Sequence, residues 1–237
     1  MQQLVKVAAF FVFCIFIAVM FNFKYKEYDF KCDIGMMTPY QYIRLINLLE
    51  EYLPNRICEL GSGQSTNIFK KFCEKNNSLS YSIENDVQYN KYDSIMMPLI
   101  ENTSLGVADK VYDRCTIYDG LESWLLNQDK FDFVFVDAPN DGIPFNTQGL
   151  KYARIQLFDF VLLDKLNDAS IVMYHDSERD VSQHTLNEFE CLLKENEFMF
   201  DKEVVVEKDV EIYEYNKKIL GVCPELTIYY INKKIKF

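Results

Sequence analysis

Three polar residues close two apolar runs in this chain of 237 residues, and they carry its strongest chemical signal. Asp137 ends "FDFVFVDA", and His175 with Asp176 ends "ASIVMYHD". Apolar runs of this length are the pattern of buried strands, and a charge at a strand tip needs a partner or water, because burying it alone is costly. Neighbouring parallel strands lie about 5 Å apart, so the three side chains can face one another. Two carboxylates and an imidazole offer two chemistries. Together they can hold a divalent cation, with histidine favouring transition ions over magnesium. Without a metal, His175 is a candidate general base, since an unperturbed imidazole titrates near working pH. The only other histidine, His184, sits between Gln183 and Thr185 and is expected to be a solvated surface residue.

A second constellation precedes these residues. In "RICELGSGQST", residues 56–66, a short apolar run meets Gly61 and Gly63, and then Ser65 and Thr66 at the start of a helical pattern. Glycines let the backbone approach a ligand closely, and hydroxyls there can cap the helix. Glu84 ends the next apolar run, "LSYSIE", at the distance where an acid meets ribose hydroxyls. A dinucleotide fingerprint needs a third glycine where Thr66 stands, which disfavours a dehydrogenase. A phosphate-binding loop needs Gly-Lys-Ser/Thr, which is absent.

The elements that must position these residues are legible in the hydrophobic pattern. "TPYQYIRLINLLEEYLP", residues 38–54, has helical spacing. Short apolar runs then alternate with amphipathic segments: "RICEL", a helix from Ser65, "LSYSIE", a helix over 87–100, "VYDRCTIY", a helix through Trp124, "FDFVFVDA", a helix over 154–163, "ASIVMYHD" and a helix over 181–195. Such alternation predicts an α/β fold with a doubly wound, mostly parallel sheet. The tail departs from it: "VEIYEYN" and "ELTIYYIN" are too close for a crossover helix, so they are expected to pair as an antiparallel hairpin.

The "E-x-G-x-G" turn, with Glu59 two positions before Gly61, resembles the motif with which class I methyltransferases hold S-adenosylmethionine, a ligand without phosphate and with a positive sulfonium. The resemblance covers residues 38–235 and implies a seven-stranded Rossmann-like sheet. It also implies cofactor contacts from Glu59, Gly61, Ser62, Gly63, Ser65, Thr66 and Glu84, with Asp119 near the adenine. Metal-dependent O-methyltransferases of this fold place an acid after their fourth strand and a polar pair after their fifth, an arrangement that Asp137, His175 and Asp176 resemble. These three are the candidate catalytic residues and the candidate ligands of a divalent ion.

A narrower likeness is carried by "VDAPNDG", Arg154 and "HDSERDVSQHTLNEFECL", which resemble the glucuronoxylan 4-O-methyltransferase family. That resemblance implies a sugar hydroxyl as acceptor and a membrane-anchored protein of the Golgi. Arg154 and Arg179 are candidate ligands for a uronic acid carboxylate, with surface ion pairing as the alternative. The sequence departs from the family at Ala138 and in "NDGIPFNTQGLKYAR", which leaves a small molecule or a lipid head group open as acceptor, and a non-catalytic binding protein open as a second class.

Composition bounds the rest. With 49% hydrophobic residues the chain can bury one core, and a net charge of -11 opposes nucleic acid as a partner. The seven cysteines have no C-x-x-C spacing, which argues against a zinc site, and Cys58 is expected in the core. The run "VAAFFVFCIFIAVMF", residues 7–21, has no charge and no small-residue cleavage site, so an uncleaved signal-anchor helix is expected, with a cleaved signal peptide as the alternative. The expected organisation is an anchor and linker over 1–30 and a methyltransferase domain over 31–237, in a single-pass membrane protein.

Overall fold

The computed structural model describes residues 25, 28, 37–90, 93–102, 115–138, 154–208, 214, 218 and 224–233. The chain divides into two compact units, Met1–Lys31 and Cys32–Phe237, and every described strand belongs to the second. The first helix of that unit, α1 (Pro39–Tyr52), is closed at its start by a reciprocal cap in which Gln41 N donates to Thr38 Oγ1 and Thr38 N donates to Gln41 Oε1. It ends at Leu53, in the left-handed region just before Pro54.

The chain then runs through β1 (Arg56–Leu60), α2 (Gln64–Asn76), β2 (Leu79–Glu84), β3 (Ile95–Met96), β4 (Leu99–Asn102), β5 (Cys115–Tyr118), α3 (Leu121–Leu126) and β6 (Phe131–Val136). A 3-10 turn (Ile155–Phe158) and α4 (Asp159–Leu162) lead to β7 (Leu166–His175), α5 (Asp180–Glu195), β8 (Phe198–Val205) and β9 (Leu226–Lys233). Seven strands form one sheet in the order β3-β2-β1-β6-β7-β9-β8. Its first five members are parallel, whereas β9 runs antiparallel to both β7 and β8. The doubly wound, mostly parallel sheet with an antiparallel end is as expected.

β6 lies in the middle, and both of its faces are buried, as a central parallel strand requires. Phe133 and Phe135 point to one face, where Phe69 of α2 meets them edge-on at 5.9 and 6.0 Å. Val134 and Val136 point to the other and join Leu125, Phe160, Leu186 and Phe189 in the cluster beneath α3, α4 and α5. Each of these large side chains contributes about 1.5–3 kcal/mol by leaving water. This double-sided packing holds the strand tips in place, and the tips carry the candidate site.

Several expected elements differ. No helix forms among the described residues of 87–100: Asn90 Oδ1 accepts from Ser94 N and Asp86 Oδ1 from Gln88 N, so polar side chains close turns, and Pro98 disfavours a helical Met97. β3 and the start of β4 stand there instead. The strand expected in "VYDRCTIY" pairs antiparallel with β4 in a separate two-stranded sheet. The helix expected over 154–163 begins at Ile155 and is a 3-10 turn followed by one α-helical turn, with Arg154 left-handed before it. In the tail, β9 pairs with β8 in eight consecutive registers, from Phe198 with Lys233 to Val205 with Leu226, while "VEIYEYN", the expected partner, lies outside the described residues apart from Glu214. An edge strand as polar as "FMFDKEVV" has weak alternation, which concealed it.

The expected anchor over residues 7–21 also lies outside the described residues. Among the described residues no helix is long and apolar enough to cross a membrane, and the expectation of a single-pass Golgi membrane protein is corrected accordingly. Cys58 is buried as expected, and Cys58, Cys73, Cys115 and Cys191 are free thiols.

Candidate active site

The register of the sheet assembles the site. Leu60 of β1 pairs with Ile83 of β2 and with Val136 of β6, and Val136 pairs with Tyr174 of β7. One residue further along each strand therefore sets Gly61, Glu84, Asp137 and His175 side by side at the carboxyl ends. The chain leaves β1 there with β2 on one side and β6 on the other, the position where open parallel sheets bind ligands.

Gly61 has to be glycine on two counts. Its φ is +103°, and a Cβ would lie 2.8 Å from the Ala138 Cβ and 3.2 Å from Ala138 N. Asp137 N and Ala138 N both donate to Leu60 O, which holds the two turns in that close approach. Gly63 is different: a Cβ there would meet no heavy atom within 4 Å, so open space lies over the start of α2.

Glu59 underlies this turn and does not face the space above it. Its carboxylate is 1% exposed and accepts from Ser65 Oγ at 2.5 Å, from Thr66 Oγ1 at 2.7 Å and from Ser82 Oγ. Burial raises it to about 7, against the pull of those three hydroxyls, and nearby Asp137 adds to the rise. Glu59, Ser65 and Thr66, expected as cofactor contacts, are bonded to one another, and Thr66 Oγ1 also accepts from Gly63 N at 2.9 Å.

Glu84 ties the tips of β1 and β2 together. Its carboxylate accepts from Ser62 N at 2.8 Å, from Asn85 N at 2.7 Å and from Asp86 N at 2.8 Å. About one of its four acceptor positions is left for a ribose hydroxyl. Ser62 Oγ donates to Tyr89 O, so Ser62 offers a ligand its surroundings more than its hydroxyl. Asp119 is exposed at the end of β5, its N–H bonded to Pro98 O. Gln156 fixes that strand end, accepting from Tyr118 N at 2.5 Å and donating to Tyr118 O at 3.1 Å. The sequence reading missed Gln156, and no local signal marked it, because its partner lies 38 residues away.

Asp137, His175 and Asp176 come together as expected. His175 Nδ1 is 2.8 Å from Asp137 Oδ1 and 3.7 Å from Asp176 Oδ1. The imidazole is 1% exposed, whereas the Asp137 side chain is 38% exposed. Of the two, Asp137 is the one open to solvent. Burial alone would lower the His175 pKa, but the Asp137 and Asp176 carboxylates outweigh it and raise it, favouring the imidazolium. For Asp176, burial is outweighed by His175, Arg154 and Arg179, which together lower its pKa. Asp176 is left-handed at φ 58°, and such strain is retained where surroundings over-determine the residue.

Arg154 is turned inward. Its side chain is wholly shielded from solvent, with Nη1 donating to His175 O at 2.5 Å and Nη2 to Asp176 Oδ2 at 3.1 Å. The same Nη2 is 3.9 Å from Asp137 Oδ1. Arg179 Nη2 lies 3.0 Å from Asp176 Oδ2, but that side chain is 39% exposed and can reach outward. His184 is exposed on α5, as expected.

The three candidate ligands offer donor atoms within 4.8 Å of one another, the convergence a divalent ion needs. Their charge does not fit one. Two guanidinium groups already hold Asp176 Oδ2, and that of Arg154 lies within salt-bridge reach of both carboxylates. A doubly charged ion about 4 Å from a guanidinium is repelled by about 8 kcal/mol at an effective dielectric near 20, which offsets the attraction of one carboxylate at the same distance. The short contact from His175 Nδ1 to Asp137 already occupies that nitrogen. Nε2 is buried and has no partner among the described residues.

No family model matches the chain, and no curated protein matches it in sequence. Solved structures do. A Klebsiella pneumoniae protein classed as an O-methyltransferase superposes with a TM-score of 0.50 at 11% identity, over 88% of this chain and 86% of that one. A cofactor-bound protein from MTB matches with a TM-score of 0.50 at 8% identity, over 89% and 87%. An O-methyltransferase from Bacillus cereus in complex with SAH gives 0.49 at 12% identity, over 82% of each chain. Together with the strand order, the two likenesses at a TM-score of 0.50 establish the Rossmann-like methyltransferase fold.

Proposed function

We propose that residues 31–237 form an S-adenosylmethionine-dependent methyltransferase that transfers a methyl group to a hydroxyl. The observation that supports this most is the shared opening: the Gly61 bend, the open space over Gly63, Glu84 and the Asp137–His175 pair all lie at the carboxyl tips of adjacent strands. The nucleoside would lie along β1 and β2, its ribose on Glu84, its adenine towards Asp119 and its sulfonium towards the acidic tips of β6 and β7.

In the reaction the acceptor oxygen attacks the methyl carbon in line with the departing sulfur. A carbon–oxygen bond forms, the carbon–sulfur pair stays on sulfur, and S-adenosylhomocysteine leaves. The hydroxyl proton passes to Asp137, with His175 bonded behind it to hold the carboxylate in one orientation. Positioning supplies most of the acceleration, and proton transfer adds about 10²–10⁴-fold. The finer reading, a sugar hydroxyl, is supported by the resemblance of the "HDSERD" run and by Arg179 at the rim.

Isothermal titration of the full chain with S-adenosylmethionine tests this reading. One site per chain is expected, weakened by Glu84→Ala and retained in Asp137→Asn. Absence of heat from the folded native chain would refute it, and screening sugar and small hydroxylated acceptors with labelled methyl donor identifies the acceptor.

A further inference from the structure

We infer that Arg154 is the resident cation of this site, and that the Asp137–His175–Asp176 cluster works without a divalent metal. The charge argument rests on geometry alone. Its catalytic meaning rests on the methyltransferase reading above.

Side by side at two strand tips, the carboxylates of Asp137 and Asp176 need a positive charge between them. Arg154 supplies it from a side chain with no solvent exposure, reaching Asp176 Oδ2 at 3.1 Å and Asp137 Oδ1 at 3.9 Å with one nitrogen. Its other terminal nitrogen bonds the His175 carbonyl, so the fork is anchored to the backbone of β7 as well as to the acids. The guanidinium also lies over the Tyr174 ring, 5.4 Å from its centre. Left-handed backbone at Arg154 (φ 52°) and at Asp176 (φ 58°) aims the two partners at each other. A guanidinium suits this task, because it is planar, weakly hydrated and charged at every working pH.

The charges balance without an ion. Arg154 and Arg179 face Asp137 and Asp176, with Glu178 4.0 Å from Arg179, so a divalent ion would enter a site whose two tip carboxylates already meet two guanidinium groups. Arg154 thereby acts through the carboxylates it holds, as a positioning residue. It holds Asp176 and the tip of β7 directly and faces Asp137 at 3.9 Å, the charge a metal would supply in a cluster of acids that lacked an internal cation.

Cobalt(II) is the probe, since bound ion absorbs in the visible range whether or not the protein turns over. The full chain is dialysed against EDTA and titrated, alongside Arg154→Met and Arg154→Lys, with circular dichroism as the check on folding. Native protein is expected to show no saturable cobalt site. Arg154→Met, left with uncompensated acids, should bind at least about a hundredfold more tightly, a small part of the repulsion removed. Arg154→Lys keeps the charge without the fork and should still refuse cobalt. A merely structural role predicts that both variants behave alike. Stoichiometric cobalt on the native chain, or no gain in a folded Arg154→Met, overturns the inference. If Arg154→Met unfolds, the native and Arg154→Lys titrations decide it. The S-adenosylmethionine titration in EDTA runs in parallel, so loss of that heat sinks the enzymatic reading while the cobalt result stands separately.

Discussion

Two alanine substitutions in one turn should have opposite effects. At Gly61 a methyl group enters a backbone with φ +103° and lands 2.8 Å from the Ala138 side chain, with the Ala138 and Asp137 backbone at 3.2 and 3.4 Å. Left-handed backbone at a residue with a Cβ costs about 1–2 kcal/mol. Forcing extra volume into a packed contact costs about 1–3 more. The strand tips can relieve the clash only by separating Leu60 from its two donors on the turn after β6, so Gly61→Ala should lose about 2–5 kcal/mol. In a domain of this size that lowers the unfolding midpoint by roughly 5–15 °C. At Gly63 the added methyl meets nothing within 4 Å, and the backbone there is extended, so Gly63→Ala should leave the midpoint nearly unchanged. If the cofactor passes over this turn, the same methyl should weaken S-adenosylmethionine binding about tenfold, or about 1.4 kcal/mol. Thermal unfolding and titration calorimetry on the pair check both halves. An unchanged midpoint for Gly61→Ala refutes the close approach of the β1 and β6 turns, and native affinity in Gly63→Ala removes the ligand from that space.

Three further outcomes follow from buried polar groups. Glu59, raised from 4.5 to about 7 by burial, binds its proton more tightly when folded, so its contribution is complete below about 4.5 and is lost as pH rises through about 7. That amounts to about 3 kcal/mol, and Glu59→Gln should flatten the dependence in urea midpoints measured across this range. Gln156→Leu leaves the buried N–H and carbonyl of Tyr118 without their partner and should cost about 2–4 kcal/mol by urea unfolding. His175, raised by Asp137 and Asp176 against its burial, stabilises the fold fully below its unfolded pKa of about 6.5 and loses that contribution as pH rises through the higher folded value. His175→Gln should abolish this alkaline loss, and an unaltered pH profile in the variant would contradict the ion pair.

The parts of the fold that local pattern specifies were legible. Central strands such as "FDFVFVDA" are buried on both faces, and their unbroken apolar runs ended within a residue or two of the observed tips. Because the charged residues follow those runs directly, locating the strands also located Asp137, His175, Asp176 and Glu84. The segment 87–100 was misread because helical spacing of apolar residues says nothing about Asn90, Asp86 and Pro98 competing for the backbone. The partner of β9 was misread because an edge strand has one side in water and its pairing is set by the neighbour that remains free.

Sequence alone determined which residues stand at the strand tips, since hydrophobic burial sets where a strand stops and a polar side chain begins. It determined that the first turn needed glycine. Only the tertiary structure decided what those residues do. Arg154, a candidate for a substrate carboxylate or for ion pairing at the surface, meets the acids in the interior; Glu59 lies under the turn; His175 stands behind Asp137. The direction of a side chain and the charge that meets it depend on residues 20 to 40 positions away, brought near by the packing of strands, and one-dimensional spacing does not encode that field.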